Sequence, residues 1–421
     1  MRIAESTLAV ISKGAAFFNR QPRDWKITVA RSNANFFIMR MLQPYLSVYT
    51  RALGATGTQL GIISSVGMGV SGLTAPFLGW LTDRIGVKGI YLTGIALLAL
   101  AYLVYSLAQN WTVIIIAMMA YALGMGIAAQ SCAVICANSL ASKERATGMA
   151  ICETAGMGLL GITAPMVGAS LVTSFGGISV SGIRPLFFIS LAGVIGTFLL
   201  ILTQLSNRRW GNLAETSASF FKGFSQMFKQ GHNLKRWLII SSVGSVPMGM
   251  VMPFVQPYAH EFKGADQYVL GAMVTASALA PLALGIPVGR LADKIGRKKV
   301  IYMTMPFMWA AMLMLILAPS PGFLVVSGAL QGFFMTGMVV GGAMTFELVH
   351  PEEMGRWMGI TRFFGAVLGA GAVYLAGLIW DSIGPQYLFL SIIGVDIFIR
   401  IPLLIGMPET LGLRAGTEQT G

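Results

Sequence analysis

Long apolar runs separated by short polar, mostly basic segments set the pattern of this chain. A helical crossing of a bilayer core takes about 20 predominantly apolar residues. Runs of that kind lie at 27–50, 57–80, 90–109, 111–136, 148–173, 185–205, 237–259, 267–289, 300–318, 322–345, 357–380 and 386–407. Spans 2, 3, 4, 6, 7, 8, 9 and 10 in this order contain no Asp, Glu, Lys or Arg, whereas Arg31 and Arg40 interrupt the first. The pattern predicts an all-α membrane protein with twelve transmembrane helices.

Composition agrees with lipid as the solvent. The chain is 55% hydrophobic and 11% charged, against roughly 25% charge in an average soluble domain. Its 51 glycines suit membrane helices, which associate through small residues that let backbones approach. A net charge of +13 would suggest nucleic acid in a soluble protein, but here the basic residues lie between the apolar runs and mark topology. With alternate connections placed on one side, 22 Lys and Arg fall there, and only Arg51, Arg184 and Lys263 fall on the other. The positive-inside rule then predicts cytoplasmic termini and an even number of crossings in a plasma (inner) membrane. Residues 1–25 lack the apolar core and small-residue cleavage site of a signal peptide.

This topology divides the chain into a cytoplasmic N-terminal segment 1–26, a six-helix bundle 27–205, a connector 206–236, a second six-helix bundle 237–407 and a cytoplasmic tail 408–421. In the connector, Phe220, Phe221, Phe224, Met227 and Phe228 recur at helical spacing beside Lys222 and Lys229. This predicts an amphipathic helix on the inner leaflet. Leu8, Ile11, Ala15 and Phe18 repeat the pattern on a smaller scale.

The two halves are related in sequence. Gly79-Trp80-Leu81-Thr82-Asp83-Arg84-Ile85-Gly86 matches Gly289-Arg290-Leu291-Ala292-Asp293-Lys294-Ile295-Gly296 at an offset of 210, as Leu60-Gly61 matches Leu270-Gly271. Arg145 and Gly148 match Arg356 and Gly359 at 211, Trp25 matches Trp237 at 212, and Gln43-Pro44-Tyr45 returns as Gln256-Pro257-Tyr258 at 213. Five matches in one order at nearly one offset indicate a duplicated six-span unit. Parallel repeats of this kind are a known transporter layout, with the substrate site between them near the midplane.

The repeated loop resembles the signature loop of the major facilitator superfamily. Its first copy is Gly79-x-Leu81-x-Asp83-Arg84-x-Gly86-x-Lys88. Its second is Gly289-x-Leu291-x-Asp293-Lys294-x-Gly296-Arg297-Lys298. The resemblance runs from the first span to the last. It implies two pseudo-symmetric six-helix bundles, alternating access to a small-molecule substrate, and a cavity lined by spans 1, 4, 7 and 10. It also implies a loop that latches the cytoplasmic side, with Asp83 facing the N-terminus of span 11, where exposed N–H groups favour an anion. The bland alternative makes the loop's basic residues topology signals only; an acid is not needed for that. Subfamily signals diverge. Gly124-Met125-Gly126 resembles the span-4 element of drug exporters, but Ala120 stands where they carry Arg. Ala164-Pro165-Met166-Val167-Gly168-Ala169 is a degraded form of the antiporter element. Met407-Pro408-Glu409-Thr410 is similar to the end of sugar porters.

Polar groups inside the spans are the candidate machinery. Arg40 lies about 20 Å into the first span at 1.5 Å per residue, and Gln43 shares its face three residues on. By the family arrangement these two and Tyr45 face Gln256 and Tyr258, with Gln130 and Gln331 as further cavity candidates. Arg40 suits an anionic substrate or a structural carboxylate partner. Glu153 is the acid within span 5, and coupling by protonation or a static gate pair are both open, with Arg362 and Arg31 as the facing cations; Glu347 is a further cavity or inner-gate candidate. Asp396 and Arg400, at i,i+4, read as a self-neutralising pair. Cys132 and Cys136 share a helical face without His or carboxylate, so they read as packing residues rather than a metal site.

Three function classes follow. The leading one is an ion-coupled secondary transporter of a small organic solute, leaning to proton-linked efflux, with an uptake symporter for a sugar or organic anion as the alternative. A non-transporting sensor on this scaffold would want a cytoplasmic domain. A membrane enzyme would want a convergent polar constellation, yet His232, His260 and His350 lie outside or at the edges of the spans. No Walker loop is present, so ATP is not the direct energy source. No cofactor or nucleic-acid partner is expected; the expected partners are substrate, a coupling ion and lipid around a monomer.

Overall fold

The computed structural model describes residues 17–141, 144, 148, 151–152, 160–207, 232–349, 354–407 and 409, with the side chains of 75–85, 137, 232–233, 339, 346 and 355–356 left out. Glu153, Arg145, the Phe220–Phe228 stretch and Leu8–Ala15 lie outside the described residues.

The helices in the first half are α1 (Arg23–Leu42), α2 (Leu46–Ala52), α3 (Gly57–Ile85), α4 (Val87–Leu107), α5 (Trp111–Ser139), α6 (Gly161–Ser174) and α7 (Val180–Gln204). In the second half they are α8 (His232–Val243), α9 (Ser245–Val251), α10 (Val255–Lys263), α11 (Gln267–Ile295), α12 (Arg297–Leu317), α13 (Pro321–Leu348), α14 (Met354–Ser382), α15 (Pro385–Val395) and α16 (Ile401–Ile405). Among the described residues, nine helices are long and apolar enough to cross a membrane, and none of the elements is a strand. The other expected spans coincide with α1 and α2, with α3, and with α6.

Local chemistry sets the helix ends. Thr56 and Gln59 form a reciprocal capping box at the start of α3, satisfying otherwise orphaned N–H groups. Asp266, offset by 210, caps α11 by accepting from the Val269 N–H at 2.8 Å. Asn110 does the same for α5 at 3.2 Å. At the opposite ends, Gly86 and Gly296 turn the chain with φ of 88° and 111°, a region that L side chains rarely adopt. α3 and α11 are each 29 residues long, and α4 and α12 are each 21, at that same offset. The sequence repeat is therefore a structural repeat.

The first span breaks at Gln43-Pro44-Tyr45, where proline cannot donate to the helical ladder. Its counterpart is the break at Met252-Pro253-Phe254, 209 residues later from proline to proline. The Gln-Pro-Tyr copy at 256–258 thus sits about one turn further on, inside α10. In the last span a π-turn at Asp396–Arg400 precedes Pro402, consistent with proline disturbing the ladder ahead of it. Within each half, α4 packs on α5 and α7, and α12 on α13 and α15. The halves meet where α3 lies along α14 and where α11 lies along α6. Small residues permit this. A Cβ on Gly72 would collide with Ala366, so α3 and α14 approach closely along much of their length.

Candidate functional site

Call the end of the bundle with Gly86 and Gly296 the loop end, and the opposite one the distal end. Every hydrogen bond and ion pair that joins two described residues of different halves lies distal to the loop end. At the tip, Arg51 forms a bidentate pair with Glu261, both contacts at 2.7 Å, and stands 5.9 Å from the Trp380 ring. The hydrogen bond to Glu261 raises the Arg51 pKa above its ordinary value, outweighing desolvation. Arg51 and Glu261 are 210 residues apart, so the pair joins equivalent positions of the two halves. Asp381, at the end of α14, accepts from the Gly57 and Thr58 N–H groups at 2.9 and 2.7 Å. A carboxylate thereby sits on the N-terminus of α3, where the helix dipole favours it. On the other side Tyr45 donates to the Gln267 carbonyl at 2.9 Å, and Gln267 donates to Thr173 at 2.9 Å. Deeper, Ser65 donates to the Ala370 carbonyl at 2.7 Å and Thr275 to the Ile162 carbonyl at 2.9 Å. The distal end is closed by two sets of contacts related by the pseudo-twofold.

The polar residues predicted for the cavity divide into engaged and unengaged groups. Tyr45 is engaged in the clamp, and Tyr258 stacks in an aromatic cluster with Phe262, Trp380 and Phe389. Arg40 donates to Gln43 at 2.9 Å, leaving its Nε without a partner. Gln256 Oε1 and Gln331 Nε2 are also buried without a partner. Gln130 is half-buried on α5. Buried polar atoms in proteins are nearly always satisfied, and these are among the exceptions in this structure. Arg31 is buried, with its guanidinium over the Tyr91 ring at 5.1 Å and its Nε unpartnered. Together with Ser32, Asn35 and Cys132 it lines a cavity of about 240 Å³ in the first half. Arg362 is exposed on α14.

At the loop end, the first signature copy has a helical backbone through Ile85, covering Gly79, Leu81, Asp83 and Arg84; the side chains there lie outside the described set. Lys88 donates to the Leu205 carbonyl at 2.6 Å. The second copy is a network. Arg297 pairs with Asp293 at 3.0 Å and with Glu347 at 2.9 Å. Glu409 accepts from the Arg297 N–H at 2.8 Å and the Lys298 N–H at 3.2 Å, capping α12. Lys298 reaches the Ile405 and Met407 carbonyls at 2.9 and 2.7 Å. Gly289 and Leu291 lie on α11, and Lys294 is exposed. In the last span Asp396 is fully buried, 3.5 Å from Arg400, and accepts from Trp309 at 3.1 Å.

Sequence reasoning missed Arg51, Glu261 and Asp381. The first two carried a signal, since opposite charges at the repeat offset end the first span of each half. It also missed that Cys152 joins Cys132 and Cys136. Nothing in the spacing of Cys152 indicates that contact.

Two helical halves, each with the same break, caps and loop, meeting across an interface closed at one end, define a transporter fold. The model of the Major Facilitator Superfamily matches residues 32–266 and 237–409, and the chain belongs to that family. It is a multi-pass membrane transporter of small molecules, not an enzyme. The Multidrug resistance protein MdtG of Escherichia coli O9:H4 (strain HS) is 25% identical over 305 residues, covering 69% of this chain and 72% of that protein. The fold is shared with a crystal structure of the nucleoside transporter NupG, with a TM-score of 0.74 at 15% identity over 92% of this chain and 100% of that one. It is also shared with a POT family transporter in complex with 5-aminolevulinic acid, with a TM-score of 0.73 at 13% identity, covering 91% and 96%.

Proposed function

We propose that the protein exports small organic solutes across the plasma membrane by alternating access, driven by protons, with both termini in the cytoplasm. The observation that carries alternating access is the closure of the distal end by polar contacts between described residues of the two halves. The halves are bonded at the distal end, while Arg40, Gln256 and Gln331 hold unpartnered polar atoms in the membrane interior. The bias of 22 basic residues against three makes the distal end the outer one, and a substrate for export would load from the cytoplasm. Similarity to multidrug resistance proteins supports the outward direction and an organic substrate. An uptake symporter for an organic anion is the second reading, which Arg40 favours as a buried cation. The carrier acts as a monomer, because each chain holds both halves of the pathway.

Glu153 is the proposed coupling group. A carboxyl that alternates between a dry environment and one facing Arg31 or Arg362 would bind and release a proton once per cycle. Transport into proteoliposomes under an imposed pH gradient, against a panel of drugs, sugars and organic anions, tests the reading. Proton-driven movement of at least one organic cation or neutral drug is expected, and Glu153→Gln should abolish accumulation while preserving exchange. Gradient-driven transport by Glu153→Gln would reduce Glu153 to a structural gate. Uptake of an organic anion alone would replace export with the symporter reading.

A further inference from the structure

The whole chain contains three cysteines, and the fold gathers all of them. Cys132 and Cys136 lie one turn apart on α5. The Cys152 Sγ stands 3.3 Å from each of their sulfurs, and all three lie within 4.8 Å of one another. Cys136 and Cys152 are buried against Trp25, Val29 and Leu140, and all three cysteines also line the cavity that holds Arg31, Ser32 and Asn35 beside Phe36 and Met125. Ser32 Oγ lies 3.2 Å from the Cys132 sulfur. Helix packing alone accounts for small side chains here. It does not require three sulfurs to converge on one point of a cavity wall.

We propose that Cys132, Cys136 and Cys152 form a binding site for a trivalent thiophilic metalloid hydroxide, of the class of arsenous acid, held through three sulfurs. Soft sulfur donors select soft centres, and three sulfurs in a triangle match a centre that completes its valence with three bonds and a lone pair. Zinc in a structural site takes four ligands. Among the described residues no His or carboxylate joins the cluster to supply a fourth. Charge discriminates as well. Arg31 lines the same cavity, and its charge repels an arriving dication but not a neutral hydroxide. Binding is a condensation. Each thiol displaces one hydroxyl, an arsenic–sulfur bond forms as an arsenic–oxygen bond breaks, and the thiol proton leaves with the hydroxyl as water. Three exchanges release three waters with no change of oxidation state or net charge. A neutral product suits a site where ionised thiols would be poorly solvated. The inference concerns binding and does not depend on the direction of transport.

The test uses the reduced, full-length protein in detergent with sodium arsenite as the probe. Bound arsenic is counted by mass spectrometry, and its neighbours by X-ray absorption at the arsenic edge. No other cysteine exists in the chain, so every arsenic–sulfur contact reports on this cluster. One arsenic per chain in a three-sulfur shell is expected. Cys132→Ser, Cys136→Ser and Cys152→Ser should each weaken binding at least about tenfold and reduce the shell to two sulfurs. Size-exclusion elution confirms that each variant is folded, and the wild-type shell count decides the matter if one is not. Absence of arsenic binding, a wild-type shell of fewer than three sulfurs, or wild-type affinity in folded Cys152→Ser would overturn the proposal. Zinc or cadmium held by the three sulfurs where arsenite is refused would overturn it too.

Discussion

Asp381 does the most at the smallest scale, because one carboxylate serves two backbone donors of the opposite half. Exchange for the neutral amide keeps the size and removes the charge facing the α3 N-terminus. A helix-terminal charge of this kind is worth up to about 1–2 kcal/mol, so Asp381→Asn should shift the balance toward distal opening roughly tenfold. The shift is read as faster labelling of Ser65→Cys by a membrane-impermeant maleimide in a cysteine-free background. Unchanged labelling would mean that the carboxylate is incidental to closure. Asp396 has the opposite character, fully buried within one half and matched by Arg400 and Trp309. Removing one member of a buried pair costs about 3–5 kcal/mol, since it strands the other charge. Asp396→Ala is therefore expected to lower thermal stability in detergent markedly, and Asp396→Ala with Arg400→Met to recover most of it. The sequence made this second pair legible through i,i+4 spacing. The Asp381 contact was hidden, because its partners are backbone groups more than 320 residues away.

At the scale of elements, the apolar runs and the repeat were readable because lipid leaves helices as the solution for a single spanning segment. Gly79–Gly86 and Gly289–Gly296 recur because both halves need the same turn, and Gly86 and Gly296 share its positive φ. Span breaks were harder to place. Gln43-Pro44-Tyr45 does mark a break, but its structural partner is Met252-Pro253-Phe254; the identical tripeptide at 256–258 falls within α10. Proline position, rather than residue identity, carries the register. The second signature copy acts as a clamp internal to its half, holding α11, α12, α13 and the chain end together through Arg297 and Glu409. The side chains of the first copy through Ile85 lie outside the described set, and the family resemblance proposes its acid for an inter-half latch. Asp83→Asn is expected to cut transport roughly tenfold or more with insertion and expression unchanged, whereas normal turnover would reduce that loop to a topology signal. Cavity residues were legible only as residue types. Gln256 and Gln331 stand unpartnered, but Tyr45 and Tyr258 are spent on the clamp and the aromatic cluster.

The whole molecule is two copies of one unit joined by contacts that, under the proposed alternating access, must break for the cycle to turn. The helices pack through apolar clusters, the main one continuous across both halves, and the second half adds internal ion pairs among the described residues. Between halves at the distal tip stand a partly exposed ion pair and hydrogen bonds, each worth about 1 kcal/mol. Polar contacts of that modest strength suit rocking between two states, since a stronger seal would trap one of them. The most direct test fixes the seal. With Cys132, Cys136 and Cys152 replaced by Ser, Arg51→Cys and Glu261→Cys are joined by a short, reducible bis-methanethiosulfonate linker in proteoliposomes. Transport should fall to background in the linked protein and return on reduction, while either single cysteine treated alike keeps its activity. Full transport by a quantitatively linked protein would contradict alternating access through this interface.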